Sequence, residues 1–153
     1  MIKTFIALFP VWPGSATGTA VLNVTASGNT GEIYEFASYD QAIITVEVSA
    51  VTGTTPTLDI YIDELNPATR NWTQIDKFKQ ITAVTSTPVR RLLNGSSVPI
   101  TYPASGDGSV SDGTTNPFGE CLRVRWVVGG TTPNFTFTCS AMLISPPAYT
   151  GSF

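Results

Sequence analysis

The sequence predicts an all-β, antiparallel domain, and three observations carry that expectation. Helical periodicity is nearly absent along the 153 residues, while apolar and polar residues alternate with period two in runs of about 5–9 residues. Gly, Pro, Asn and Asp punctuate those runs, as they do in sandwiches and barrels. The composition joins 42% hydrophobic residues and 23 threonines to only 12% charged residues, which suits a packed β protein and not a disordered chain. The length suits a single domain spanning 1–153.

In chain order, the first segment, "MIKTFIALFPVWPGS", has an apolar run from Phe5 to Phe9 that Pro10 stops. A secretory core needs roughly 7–15 apolar residues and a small-residue cleavage site, so the expectation is a soluble, unprocessed chain. With Pro10 and Pro13, residues 1–17 read as an extended arm. Strands are expected near 18–25, 31–37, 42–50, 57–64, 72–79, 120–128 and 134–144, with further ones near 4–9, 88–93 and 98–102. Residues 80–119, rich in Gly, Ser and Pro, read as one long irregular loop, a length at which loops usually carry function.

The string GTTP occurs twice, in "AVTGTTPTLDI" (50–60) and "VVGGTTPNFTF" (127–137). Neither copy leads into a helix or carries the lysine of a phosphate-binding loop, so both read as hairpin turns. In the second, Val124 would oppose Phe137 and Trp126 would oppose Phe135 around a loop from Gly129 to Thr132. In the first, Ile44, Val46 and Val48 share a face with Leu58, Ile60 and Ile62, which pairs Val48 with Leu58. That register requires one extra residue, expected as a bulge around Thr52-Gly53.

Two cysteines are present. Cys139 falls in phase with Phe135, Phe137, Ala141 and Leu143 and is expected to face inward. Cys121 is out of phase with Leu122, Val124 and Trp126 and is expected outward, too far for a disulfide. Two free thiols fit a reducing cytoplasm.

The formal charge is −3, with eight basic residues, which argues against nucleic acid or an anionic membrane as a partner. No apolar run reaches the ~18 residues of a membrane span. The chain has no histidine, which removes the commonest general base and zinc ligand, and no cofactor motif appears. The expected first hairpin sets Glu47 opposite Asp59 on the outward face. Such a pair would serve a retaining glycosidase or bind calcium, and the plainer reading is neutralisation by Arg123 or Arg125. "DGSVSDG" (107–113) lacks the spacing of a calcium loop and reads as a solvated turn. Trp72 and Tyr61 offer a platform for sugar, Trp72 more as packing and Tyr61 facing outward.

The strings "ITVEVSAVTGTTPTLDIYIDE", "NWTQIDKFKQIT" and "CLRVRWVVGGTTPNFTFTCSAML" resemble a group of small structural proteins of tailed bacteriophages, as does "LFP" followed by "ATGTA". The resemblance covers about two-thirds of the chain, with residues 83–119 outside it. It implies a jelly-roll-like β-sandwich and a capsid decoration (cement) protein, not an enzyme. Such a protein would be made in the bacterial cytoplasm and would sit on the capsid exterior. It would bridge major capsid protein subunits as a homo-oligomer, a trimer by preference. The arm 1–17 and the loop 80–119 are then the expected contact elements, with Phe9, Trp12, Arg90 and Arg91 as contact residues read from the sequence alone. A carbohydrate-binding, lectin-like module of a tail or head fibre is the alternative.

Overall fold

The computed structural model describes residues 3–7, 22–85, 87–94 and 118–144. Strands among them are β1 (Lys3–Ala7), β2 (Leu22–Val24), β3 (Gly28–Asn29), β4 (Gln41–Leu65), β5 (Trp72–Lys77), β6 (Val89–Asn94) and β7 (Leu122–Ile144). All pairings are antiparallel, so the all-β expectation holds. No described helix is long and apolar enough to cross a membrane.

The frame is a ribbon of β4 and β7, paired from Gln41↔Ile144 at one end to Glu64↔Leu122 at the other. This overturns the two expected hairpins. Val124 pairs with Ile62, Trp126 with Ile60, Phe135 with Val51 and Phe137 with Val48, while Leu58 pairs with Val128. The GTTP units do not turn each chain back on itself. They lie side by side, and the whole ribbon bends there.

The bend is required by distance. Eleven residues separate Trp126 from Phe137, and as straight strand they would span roughly 36 Å. Their ring centroids are instead 6.3 Å apart, in an edge-to-face contact. Each long strand therefore folds over, and its two halves meet through side chains. One half-sheet holds β1, β2, the C-terminal half of β7, the N-terminal half of β4 and β6. The other holds β3, the remaining halves of β7 and β4, and β5. Between them lies one core that includes Ile44, Val46, Val48, Leu58, Ile60, Ile62, Phe135 and Phe137, all fully buried. Faces were thus read correctly from alternation, although partners were not.

At the corner, Gly53 (φ +115°) and Gly130 (φ +105°) adopt left-handed backbone, as do Thr55 and Thr132. A Cβ on Gly53 would stand 2.7 Å from the Thr132 carbonyl oxygen, and one on Gly130 would stand 2.6 Å from that of Thr55. Each unit's glycine thus packs under the other unit's Thr-Thr-Pro, which gives the corner a local two-fold character. The hairpin register that called for a bulge at Thr52-Gly53 does not form, but β4 is irregular against β7 at that place and at two others. Val48 pairs with Phe137 and Ala50 with Thr136, so Ser49 is the unmatched residue, and further shifts occur at Thr52/Thr54 and Thr54/Thr57. Thr85 covers the irregular point. Its N–H donates to the Val48 carbonyl (3.1 Å) and its hydroxyl accepts from the Val48 N–H (2.9 Å).

Other boundaries were adjusted. The strand expected over 31–37 is a single bridge, Ile33↔Leu122, followed by a 3-10 turn at Glu35–Ser38. The turn points Phe36 into the core, edge-on to Phe118. Lys3–Ala7, the start of the expected arm, is an edge strand on β7, while Phe9 and Trp12 lie outside the described residues. Within the expected 80–119 loop, Val89–Asn94 forms β6 against β4, and the strand expected near 98–102 lies outside the described residues. Asn66 to Asn71 joins β4 to β5 as a tight hairpin loop. Asn66 Oδ1 accepts there from the Ala68 and Thr69 N–H groups.

Gly31 provides a control for the corner, since it has φ +79° but nothing within 4 Å of its absent Cβ. Gly31→Ala should cost about 1 kcal/mol of left-handed strain. Gly53→Ala and Gly130→Ala add an overlap with backbone that cannot swing away, and each should cost at least about twice as much. Urea unfolding checks this; equal losses at the three sites would contradict the interlocked corner.

Candidate functional site

Among the described residues, arginines meet carboxylates in three places: an exposed Arg70–Glu32 pair, a buried pair between the layers, and an assembly on an outer face. The inner one joins the half-sheets. Asp76 on β5 pairs with Ile62 and Arg91 on β6 pairs with Ile44, so both side chains point between the layers. Arg91 Nε donates to Asp76 Oδ2 (3.0 Å) and Nη2 to Oδ1 (2.8 Å), a bidentate ion pair with both residues at least 97% buried. Burial pushes the Asp76 carboxyl up from its ordinary range, and hydrogen bonds and charge from Arg91 pull the other way. Arg91 is therefore an internal tie and not a surface group, whereas its neighbour Arg90 is exposed.

The outer assembly lies on the half-sheet formed by β3, β4, β5 and β7. Odd-numbered β4 residues beyond the corner face outward here, which sets Tyr61 and Asp63 beside Arg125 and Arg123 of β7. Asp63 Oδ2 accepts from Arg123 Nε (2.9 Å) and from Arg125 Nε (2.8 Å), and Asp63 Oδ1 accepts from Arg125 Nη2 (3.2 Å). The Arg123 guanidinium lies 4.3 Å from the Trp72 ring centroid, and that of Arg125 lies 4.2 Å from the Tyr61 centroid. Asp63 keeps Arg125 charged, raising its already high pKa further. The result is a row, Trp72–Arg123–Asp63–Arg125–Tyr61, in which one buried carboxylate orients two cations and each cation covers a ring.

This arrangement corrects two expectations. Glu47 and Asp59 are not opposed, because β4 does not fold back as a hairpin. Glu47 pairs with Thr138 and Asp59 with Val127, and Asp59 accepts from Gln80 Nε2 at 2.9 Å. Arg123 and Arg125 do neutralise a carboxylate, but it is Asp63. Asp63 sits only four positions beyond Asp59 on the same strand face, and its alignment with the arginines was hidden by the wrong strand pairing. Tyr61 and Trp72 share a face as the sugar reading supposed, yet each presents a ring to a guanidinium.

Cys121 was expected on the surface and is buried, 4% exposed. The Ile33 segment bridges to Leu122 beside it, and burial pushes its thiol up. Cys139 is fully internal, and its thiol is raised for the same reason. Both thiols are free. Among the described residues no group of three or more Cys, Asp or Glu is placed to hold a metal ion. No family model matches the chain, and comparison with curated proteins and with solved structures gives no match.

Removing Asp76 takes the bidentate carboxylate away from the buried Arg91. Asp76→Ala should cost about 3–5 kcal/mol, whereas Asp76→Leu combined with Arg91→Met should recover at least half of that loss. Chemical denaturation of both variants checks this. A double variant as unstable as the single one would show that Arg91 acts through something other than Asp76.

Proposed function

We propose that this chain is a structural protein of a tailed-bacteriophage particle. It decorates the capsid exterior as a jelly-roll-like sandwich and bridges major capsid protein subunits, working as a homo-oligomer. The observation that carries the reading is where the resembling strings fall. "ITVEVSAVTGTTPTLDIYIDE" and "CLRVRWVVGGTTPNFTFTCSAML" are the two long strands of one bent ribbon, and "NWTQIDKFKQIT" is the edge strand that lies along it and its continuation. On this reading, the resemblance to the phage proteins lies in the frame itself.

The chemistry of the described residues is in keeping with that role. The buried carboxylates Asp63 and Asp76 are both held by arginines in cohesive contacts, one within the outer face and one across the layers. A protein that reinforces a shell needs a stiff body and about 1,000 Å² or more of contact area, not a reaction centre. Contact residues then include Phe9 and Trp12, before β2, and Arg90 on the exposed side of β6. Arg91, being internal, supports β6 without reaching a partner.

Addition of the purified protein to capsids that lack it tests the reading. Saturable binding and a higher disruption temperature are expected, and the absence of both would remove it. Phe9→Ala with Trp12→Ala should weaken capsid binding about tenfold, as anchor residues do, with the melting temperature of the isolated domain unchanged. A lower melting temperature with unchanged binding would instead assign the arm to the protein's own core.

A further inference from the structure

The outer row at Asp63 has more cationic capacity than its single carboxylate uses. Arg123 donates to Asp63 through Nε alone, and Arg125 through Nε and Nη2. Among the described residues, neither Nη group of Arg123, nor Nη1 of Arg125, meets a protein acceptor. These side chains are 20% and 30% exposed, so the open amino groups reach solvent while their stems are held. Lys77 occupies the same row, paired with Tyr61. Three of the eight basic residues of a chain with net charge −3 thus gather on adjacent rows of one face. The carboxylates on the same rows and the next are Asp63, already shared, and Asp59, held by Gln80. Farther along, Glu32 is engaged by Arg70 and by Tyr34.

We propose that this face is a docking surface for an acidic protein partner, with an Asp or Glu side chain of the partner seated against the open amino groups of Arg123 and Arg125. A planar carboxylate matches the guanidinium fork, and both forks are already fixed in orientation by Asp63 and by the rings beneath them, so little side-chain freedom is lost on binding. Arg, Tyr and Trp are the residue types that dominate binding energy in protein interfaces. Val127, 38% exposed and on the same face beside Asp59, adds an apolar contact at the flank. A protein carboxylate is favoured over an acidic saccharide because the Trp72 and Tyr61 rings each already carry a guanidinium over one face, which leaves less ring surface for a sugar to stack on. The identification of the partner as capsid subunits rests on the capsid reading; the docking chemistry does not.

The test uses the full chain and three probes at low and high salt: a synthetic oligo-glutamate peptide, an oligo-glutamine peptide of equal length, and oligogalacturonate. The native protein should bind oligo-glutamate in a salt-sensitive manner and ignore oligo-glutamine. Arg123→Gln with Arg125→Gln should weaken that binding about tenfold or more. Arg123→Lys with Arg125→Lys keeps both charges beside Asp63 and safeguards the fold. It should still lose several-fold, because an ammonium does not reproduce the fork. Full binding by either double variant overturns the proposal, as does binding of oligogalacturonate without oligo-glutamate. With capsids, a native chain that binds and a Gln variant that binds equally well would remove this face from the contact and leave the capsid reading standing. A native chain that fails to bind capsids removes the capsid reading, and the peptide result then decides the face alone.

Discussion

At the corner of the ribbon, the backbone of one GTTP unit fills the space that a side chain on the other unit's glycine would need. Gly53 lies under Thr132 and Pro133, and Gly130 lies under Thr55 and Pro56. Only glycine tolerates both the left-handed backbone and that approach. The bend this permits brings the halves of β4 and β7 face to face, and everything else follows from it. Trp126 reaches Phe137, Ile44 and Ile62 share a core, and Asp63 falls on the opposite, outward face of its strand.

A ribbon folded over in this way has two open sides, and each is closed differently. On one side, β5 and β6 belong to opposite layers, and the buried Asp76–Arg91 pair ties them. Such a pair adds little net stability over apolar residues, but it penalises any slip of either edge strand that would separate the charges. On the other side, residues 22–33 run along β7 and close over Trp126. Its indole N–H donates to the Ala26 carbonyl at 3.1 Å, while Thr30 and Ser27 bond to Val124 and Val128. Gly28 allows this, since a Cβ there would stand 2.6 Å from the Trp126 ring.

Period-two alternation fixed which residues face the core, and it did so correctly for Val124, Trp126, Phe135, Phe137 and Cys139. It could not assign partners, because two segments that face one another through side chains show the same alternation as two that share hydrogen bonds. That ambiguity displaced Glu47 and Asp59 into a false pair and hid Asp63. The repeat of GTTP was a real signal, of two strands bending together and not of two turns. The parity argument for a bulge at Thr52-Gly53 lost its basis with the hairpin, although β4 does shift register against β7 there and at Ser49. Cys121 was misplaced because alternation reports the face of a strand and not what lies over that face. The Arg91–Asp76 tie joins strands from different half-sheets, and no local pattern encodes such a contact.

The central claim is that the two long strands pair with each other and not with themselves. Backbone NOEs in solution NMR test it most directly. Contacts between Val48 and Phe137 and between Leu58 and Val128 are predicted. Backbone ladder contacts joining Val48 to Leu58, or Val124 to Phe137, would contradict it and restore two separate hairpins.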